Sequence, residues 1–568
     1  MVDVAKLLEP VSQARRRRTA PLVLELDLTD GLADEAPADP VGRLLAKRHQ
    51  RLTDVVQAIR RGAHDDRVAA LVARIDGRPL GFARVQELRA AVAAFRAAGK
   101  PAVAYSESFG DFGPGTVPYY LATAFGEIAL MPTGTLGLTG LGITTTFVRG
   151  AIDRLGLDYE VGARHEYKNA VNTLTERGYT EPHREATGRI VASLTEQVVE
   201  GIAEGRGLTP ERVRELTARG PLLAGEALEA GLVDRLAYRD EVYGDLLGRF
   251  GGDDGARLQF ATRYHHRRSA AARLPAARRG GHIALISGVG TISSGRSRRS
   301  PLGGGATMGA DTVAAAFRAA RRDRDVRAVV FRVDSRGGSA VASDAIRREV
   351  ALTSEAGTPV VVSMGDVAGS GGYYIALGAD AIVAQPGTLT GSIGVLLAKP
   401  VLGGMLGRVG ITSDSVEGAP HAGMFGTDRK FTDDEWARVD ALLDAVYDDF
   451  TAKVAAARGM TRDQVHEVAR GRVWTGRDAR DNGLVDELGG LETAVRLARE
   501  RAGAPGARLR HYPAAGPLDR LVPSESSEDR AAAPGTAFDA WGPLAGAAAR
   551  LGLPSAGPLA MPGAWEIG

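Results

Sequence analysis

The second half of this 568-residue chain repeats the first at an offset of 252 to 258 residues, far beyond any solenoid period. A duplicated domain is therefore the frame for every other feature. Residues 68–76 (VAALVARID) match 326–334 (VRAVVFRVD), two near-alternating apolar runs of strand length. Helical spacing follows each: Val85, Leu88, Val92 and Phe95 share one face before Gly99, and Ile346 and Val350 lead towards Gly357. Strands resume at 101–106 and 359–364, Tyr119-Tyr120 matches Tyr373-Tyr374, and Pro132 matches Pro386. Residues 179–209 match 431–461 without a gap; in the second copy Thr432 and Glu435 have capping-box spacing. Gly231-Leu-Val-Asp234 matches Gly483-Leu-Val-Asp486. Strand, helix, strand order implies parallel pairing with right-handed crossovers, hence an α/β fold in each half. The expected domains are a basic segment at 1–20, a first repeat at 21–250, a linker at 251–281, a second repeat at 282–502 and a Pro/Gly/Ala-rich tail at 503–568. No fold is expected for most of that tail.

Composition narrows the chemistry. The absence of cysteine excludes disulfides, thiolate metal sites and cysteine nucleophiles, and a formal charge of +2 is too small for a dedicated nucleic-acid binder. No run reaches the roughly 18 to 20 apolar residues of a membrane helix, and the first 20 residues carry no signal-peptide pattern. Of 71 basic residues only seven are lysine: Lys6, Lys47, Lys100, Lys168, Lys399, Lys430 and Lys453. Lysine is thus rare enough for each position to be informative, because arginine cannot give up its proton and cannot serve as a base. Gly99-Lys100 is followed by proline, which excludes a phosphate-binding P-loop, and no histidine pair has the helical spacing of a zinc protease.

The most informative positions are those where one copy holds a reactive group and the other does not. Ser370 lies in Ala368-Gly-Ser-Gly-Gly372, just before a helix-like stretch; the aligned residue in the first copy is Thr116. Glycines let backbone N–H groups approach a reacting atom, although a Gly-Ser-Gly-Gly run alone is more often a plain turn. Conversely Lys168, in HEYKNA, has an alanine, about Ala422, as its counterpart. A lone lysine is usually a solvated charge, but a serine hydroxyl needs a base, and a lysine buried enough to lose its proton can be one. Ser335-Arg-Gly-Gly-Ser339 follows a strand directly, so Gly338 together with Gly371 is a candidate oxyanion hole; the bland alternative is a tight strand-to-helix turn. The first copy has Gly77-Arg-Pro-Leu-Gly81, where proline removes a donor. Ser392, in Thr390-Gly-Ser-Ile-Gly394, is a further hydroxyl confined to the second copy and able to orient a lysine amine.

These segments, DSRGGSAVAS, VVVSMGDVAGSGGYYIA, PGTLTGSIGV and GRVWTGRDARDNGLVDELGG, with YKNAVNT about 200 residues before the serine, together resemble the large, duplicated form of the signal peptide peptidase A family. The resemblance covers roughly residues 20–500. It implies two tandem repeats of the Clp-protease/crotonase-like fold and a serine endopeptidase with a Ser/Lys dyad that acts on remnant signal peptides. Carried over by motif, Ser370 is the nucleophile, Lys168 the general base and Ser392 the hydroxyl that positions the lysine. Gly338 and Gly371 donate the oxyanion hydrogen bonds. In this form of the family the dyad unites the two repeats. No metal or organic cofactor is implied; the partners are peptides and further copies of the chain, a homo-tetramer by resemblance, with no nucleic acid. Localisation would be membrane-associated, yet with neither spanning helix nor signal peptide evident the expectation is cytoplasmic or peripheral.

Departures from the family pattern are Arg336 where proline is common and Gly369 where alanine is common, and the N-terminal membrane anchor frequent in the family is not expected from residues 1–20. Two other functions fit parts of the sequence. A crotonase-type acyl-CoA enzyme would use the paired N–H groups but leave the serine and lysine without a role. A membrane-surface scaffold would use Leu7, Leu8 and Val11 beside Arg15 to Arg18, with Arg296, Arg298 and Arg299, to contact anionic lipid.

Overall fold

The computed structural model describes residues 20–29, 31–33, 50–76, 80–251, 255–271, 281–299, 306–512 and 559–560. The basic segment up to residue 19, the first-copy turn at 77–79 and the tail apart from 503–512 and 559–560 lie outside them. Two compact units emerge. One takes the chain to Gly142 and again from Leu194 to Arg279; the other takes Ile143–Ser193 and the chain from Gly280 onward. Residues 143–193, within the first repeat by sequence, therefore fold with the second.

In the first unit a parallel sheet runs in the order Arg235–Leu236, Glu127–Leu130, Ala102–Ser106, Val68–Arg74, Leu22–Asp27, Arg257–Phe260. The second unit repeats this order with Glu487–Leu488, Ala381–Ala384, Val360–Gly369, Val326–Ser335, His282–Val289 and Arg508–His511. Each strand has its counterpart, so the duplication is one of topology as well as sequence. Arg257–Phe260 lies in the segment read as linker and Arg508–His511 in the segment read as tail, so each sheet gains an outer strand beyond the repeat bounds.

Parallel strands covered on both faces read as nearly continuous apolar runs. In the second sheet Ile283, Leu285, Ala328, Val330 and Val361 face the helix Leu491–Arg501 through Leu491, Ala494, Val495 and Ala498. The intervening Ile286, Val329, Phe331, Val333 and Val362 face the helices Ala310–Arg322, Ala340–Glu355 and Asp433–Arg458. In the first sheet Val23, Ala70, Val72 and Val103 pack on Val242, Tyr243 and Leu246 of the helix Arg239–Gly251.

The repeated Gly-Leu-Val-Asp motif has a structural task. Asp486 accepts from the Ile382 N–H at 2.7 Å and pairs with Arg458 at 2.7 Å, while Tyr373 donates its hydroxyl to the Leu484 carbonyl at 2.9 Å. In the first unit Asp234, Ile128, Arg206, Tyr119 and Leu232 make the same contacts, at 2.7, 2.9 and 2.6 Å. Thr432 and Glu435 form the expected capping box at the start of Asp433–Arg458.

Candidate active site

Three turns of the second unit converge on one point. The first follows the strand Val326–Ser335, where Ser335 donates its hydroxyl to the Gly290 carbonyl at 2.7 Å and accepts from the Gly337 N–H at 3.1 Å. Ser339 then caps Ala340–Glu355 by accepting from the Ala342 N–H at 3.3 Å. Between these anchors Gly338, at φ +154°, passes so close to Ile292 that a Cβ would lie 2.1 Å from its carbonyl oxygen. Only glycine fits there.

The second turn ends the strand Val360–Gly369 and places Ser370 before the short helix Gly371–Tyr374. Ser370 has φ +55° and ψ −119°, a backbone conformation costly for a residue with a side chain. Its N–H donates to the Gly391 carbonyl at 2.8 Å, and its own carbonyl accepts from the N–H groups of Tyr373 and Tyr374 at 3.0 and 2.9 Å. A Cβ on Gly371 would lie 3.2 Å from the Gly338 nitrogen, so the two candidate oxyanion donors are neighbours. The third turn follows Leu389–Gly391 and carries Ser392, also at positive φ (+51°), whose N–H donates to the Arg472 carbonyl at 2.7 Å.

Lys168 reaches this point from the segment 143–193. Strand Asp158–Arg164 pairs antiparallel with Val395–Val401, with Arg164 opposite Val395, and so delivers the chain beside Ser392. The Lys168 N–H then donates to the His165 carbonyl at 3.1 Å, the Tyr167 N–H to the Arg470 carbonyl at 3.2 Å, and Gly471 packs flat on the lysine backbone. A Cβ on Gly471 would come within 2.5 to 2.6 Å of the Lys168 N, Cα and Cβ atoms. The Lys168 ammonium nitrogen, Nζ, lies 2.8 Å from Ser370 Oγ, 3.0 Å from the Ser392 carbonyl and 3.1 Å from Ser392 Oγ. With Lys168 2% exposed and both serines 0%, the amine is out of water and without a carboxylate partner among these contacts. Burial brings its pKa down to about 7 from 10.5.

All five residues singled out in the sequence are thus grouped in one unit. The first unit has no such arrangement at the matching turn: Thr116 donates its hydroxyl to the Gly140 carbonyl at 2.9 Å and accepts from the Gly140 N–H at 3.1 Å. Gly471 was not singled out. The duplication carried its signal, since the 252-residue offset puts Arg219 opposite it. Among the described residues no cluster of three or more His, Asp or Glu side chains suits a metal ion, and no helix is long and apolar enough to cross a membrane.

Comparison with known proteins matches Peptidase family S49 over residues 94–247 and 353–504, once per repeat and across both the lysine and the serine. The chain belongs to peptidase family S49. It is 34% identical over 472 residues to Protease 4 of Salmonella typhi, a match spanning 81% of this chain and 74% of that protein. Over 448 residues it is 32% identical to the chloroplastic serine protease SPPA of Arabidopsis thaliana, covering 78% of this chain and 65% of that protein's length. A solved Listeria monocytogenes ClpP1 mutant aligns over 37% of this chain and 94% of its own, at 14% identity and a TM-score of 0.24. Membership makes the chain one of a serine peptidase family, and the family model matches once in each of its two α/β repeats.

Proposed function

We propose that this member of the family is a Ser/Lys-dyad endopeptidase that cleaves extended apolar peptides, remnant signal peptides among them. The observation that carries the reading is a fully buried lysine amine 2.8 Å from a fully buried serine hydroxyl. In its neutral form Lys168 takes the proton of Ser370 as Oγ attacks the peptide carbonyl carbon. Ser392, through its carbonyl and hydroxyl, holds the amine so that its lone pair is directed at Ser370. The N–H groups of Gly338 and Gly371 receive the developing oxyanion, a contribution typically worth about 10² to 10³ in rate for one donor. Protonated Lys168 then gives its proton to the departing amine. Water, deprotonated by the same lysine, attacks the ester and frees Ser370. The chain's repeats divide this labour, the first repeat by sequence supplying the base and the second the nucleophile. Assembly into a homo-oligomer and peripheral contact with anionic membrane belong to the same proposal, on the strength of the family resemblance.

Fluorophosphonate labelling of the purified protein, with mass mapping of the adduct, tests the dyad. The expected adduct is on Ser370 in the wild type, and absent in Lys168→Met and in Lys168→Arg, whose guanidinium stays protonated. An unlabelled Ser370 in folded wild type, or a labelled Lys168→Arg, would remove the dyad.

A further inference from the structure

The two helices that begin at the candidate site are tied to each other by a cluster of charges that the proposed chemistry leaves unused. Ala340–Glu355 starts two residues after Gly338, and Gly371–Tyr374 starts directly after Ser370. Asp344 stands in the second turn of the first helix. Tyr374 ends the second, and its N–H donates to the Ser370 carbonyl at 2.9 Å. The Tyr374 ring is buried against Phe450, with centroids 4.9 Å apart, while its hydroxyl lies 2.6 Å from Asp449 Oδ2 and 3.2 Å from Asp344 Oδ1. Lys453 Nζ donates to all three, at 2.6 Å to the Tyr374 hydroxyl, 2.9 Å to Asp344 and 2.8 Å to Asp449. Asp449 and Lys453 both belong to the long helix Asp433–Arg458, so three helices meet at one phenol oxygen.

The first unit builds the same corner without these charges. The repeat offsets of 252 to 258 residues put Gln86 opposite Asp344, Tyr120 opposite Tyr374, and Gln197 and Gly201 opposite Asp449 and Lys453. Gln86 donates to Gln197 Oε1 at 2.8 Å, the Arg89 guanidinium covers the Tyr120 ring at 3.9 Å, and a Cβ on Gly201 would come 2.3 Å from that ring. Neutral amides therefore suffice to hold these helices together. In the second unit the Asp344 and Asp449 side chains are 46% and 50% exposed, and ion pairs so exposed add little stability. What charge-assisted bonds do add is short, directed geometry. Gly371 and Gly372 offer no side chains by which to hold the short helix, so Tyr373 and Tyr374 are its anchors. The Tyr373 contact recurs in the first unit as that of Tyr119; the charged Tyr374 cluster belongs only to the unit with Ser370 and Lys168.

We propose that Asp344 and Lys453 are positioning residues that act through Tyr374 to set the separation of the two oxyanion donors, the N–H groups of Gly338 and Gly371. The proposal rests on the reading of Ser370, Gly338 and Gly371 as the peptide-cleaving site. Both donors of such a pair must lie about 3 Å from the point where the oxygen's charge develops. Asp344 fixes the helix that follows one donor, Tyr374 the helix that begins with the other, and Lys453 holds both from a third. The oxyanion exists only beyond the ground state, so loosening this brace lowers kcat and leaves KM nearly unchanged.

The test compares the full-length wild type with Lys453→Met and with the triple variant Asp344→Gln/Asp449→Gln/Lys453→Gly, the set of residues that the first unit already packs. Cleavage of a fluorogenic extended peptide, inhibition by a peptide aldehyde and thermal unfolding are measured for each. The aldehyde is the probe of the donors, because its hemiacetal with Ser370 places an oxyanion between them. In both variants kcat is expected to fall about tenfold and the aldehyde to bind about tenfold more weakly, with KM within about twofold of wild type. Tm is expected to stay within about 3 °C. Wild-type kcat and aldehyde affinity in the folded variants would overturn the proposal, as would a loss of activity that only follows the unfolded fraction. If Lys453→Met does not fold, the triple variant decides; if that variant also fails to fold, the cluster is a stability element and the proposal falls. A wild type that neither cleaves the peptide nor forms the aldehyde adduct would instead strike the peptidase reading itself.

Discussion

In the proposed mechanism, burial is what converts Lys168, a residue type usually found charged at the surface, into a base. Its amine has two serine oxygens and one carbonyl as neighbours, and none of these carries a charge to hold the proton. Because the base must be neutral, kcat/KM is expected to rise about tenfold per pH unit below the folded pKa of about 7 and to level off above it. A rate independent of pH between 5 and 8 would contradict this. The same depression has a stability consequence. Between about 7 and 10.5 the folded state binds fewer protons at this residue than the unfolded state, so the lysine's contribution to stability improves as pH rises through that window. Below it the charged amine opposes folding most, and Lys168→Met is expected to raise Tm more at pH 6 than at pH 9. Gly471 is the position on which the lysine rests: its φ is +85°, and any side chain would occupy the space of the Lys168 backbone. Gly471→Ala is expected to slow labelling of Ser370 by about 10²-fold, the order of loss that follows a displacement of about 1 Å in a catalytic group. Unchanged labelling would mean that the lysine tolerates the shift.

At the scale of elements, the site depends on strand ends that are tied down. The turns bearing Gly338, Ser370 and Ser392 leave the carboxyl ends of Val326–Ser335, Val360–Gly369 and Leu389–Gly391, three neighbouring strands of one sheet. Beneath them Tyr373, fully buried three residues after the serine, ties the short helix to the Leu484 carbonyl. Tyr373→Phe leaves that carbonyl without its donor, and about 1 to 2 kcal/mol is the expected cost. Urea denaturation followed by circular dichroism would register it as a lower midpoint, and Tyr119→Phe should produce a comparable shift because its hydroxyl serves Leu232 in the same way. A shift for Tyr373 alone would mean that the two repeats no longer use the contact equally. The pairing of Asp158–Arg164 with Val395–Val401 has no sequence signature, since the partners are more than 200 residues apart and belong to different repeats.

For the whole molecule, two repeats with the same strand order hold unequal chemistry. The first unit keeps the sheet, the buried tyrosine and the aspartate–arginine pair, yet its threonine hydroxyl at position 116 is committed to both backbone groups of Gly140. Restoring a serine there is not expected to restore a site. Thr116→Ser should still take up one fluorophosphonate per chain, at Ser370; a second adduct at position 116 would show that the first unit retains activation of its own.

The sequence alone determined the duplication, the α/β class, the glycine-rich turns and the candidate residues Ser370, Lys168, Ser392, Gly338 and Gly371. Each is encoded locally, by strand periodicity, by glycine where the backbone must approach closely, or by a reactive group that one copy has and the other lacks. Only the tertiary structure decided that residues 143–193 fold with the second repeat, that Gly471 packs on the Lys168 backbone, and that Leu559–Ala560 pairs with Gly337–Gly338. These depend on which strand edges and which small residues are left open when distant segments pack. Backbone hydrogen bonding and close contact at an edge carry almost no side-chain code, so the only mark of any of these along the chain is the glycine at 471 where the other copy has Arg219.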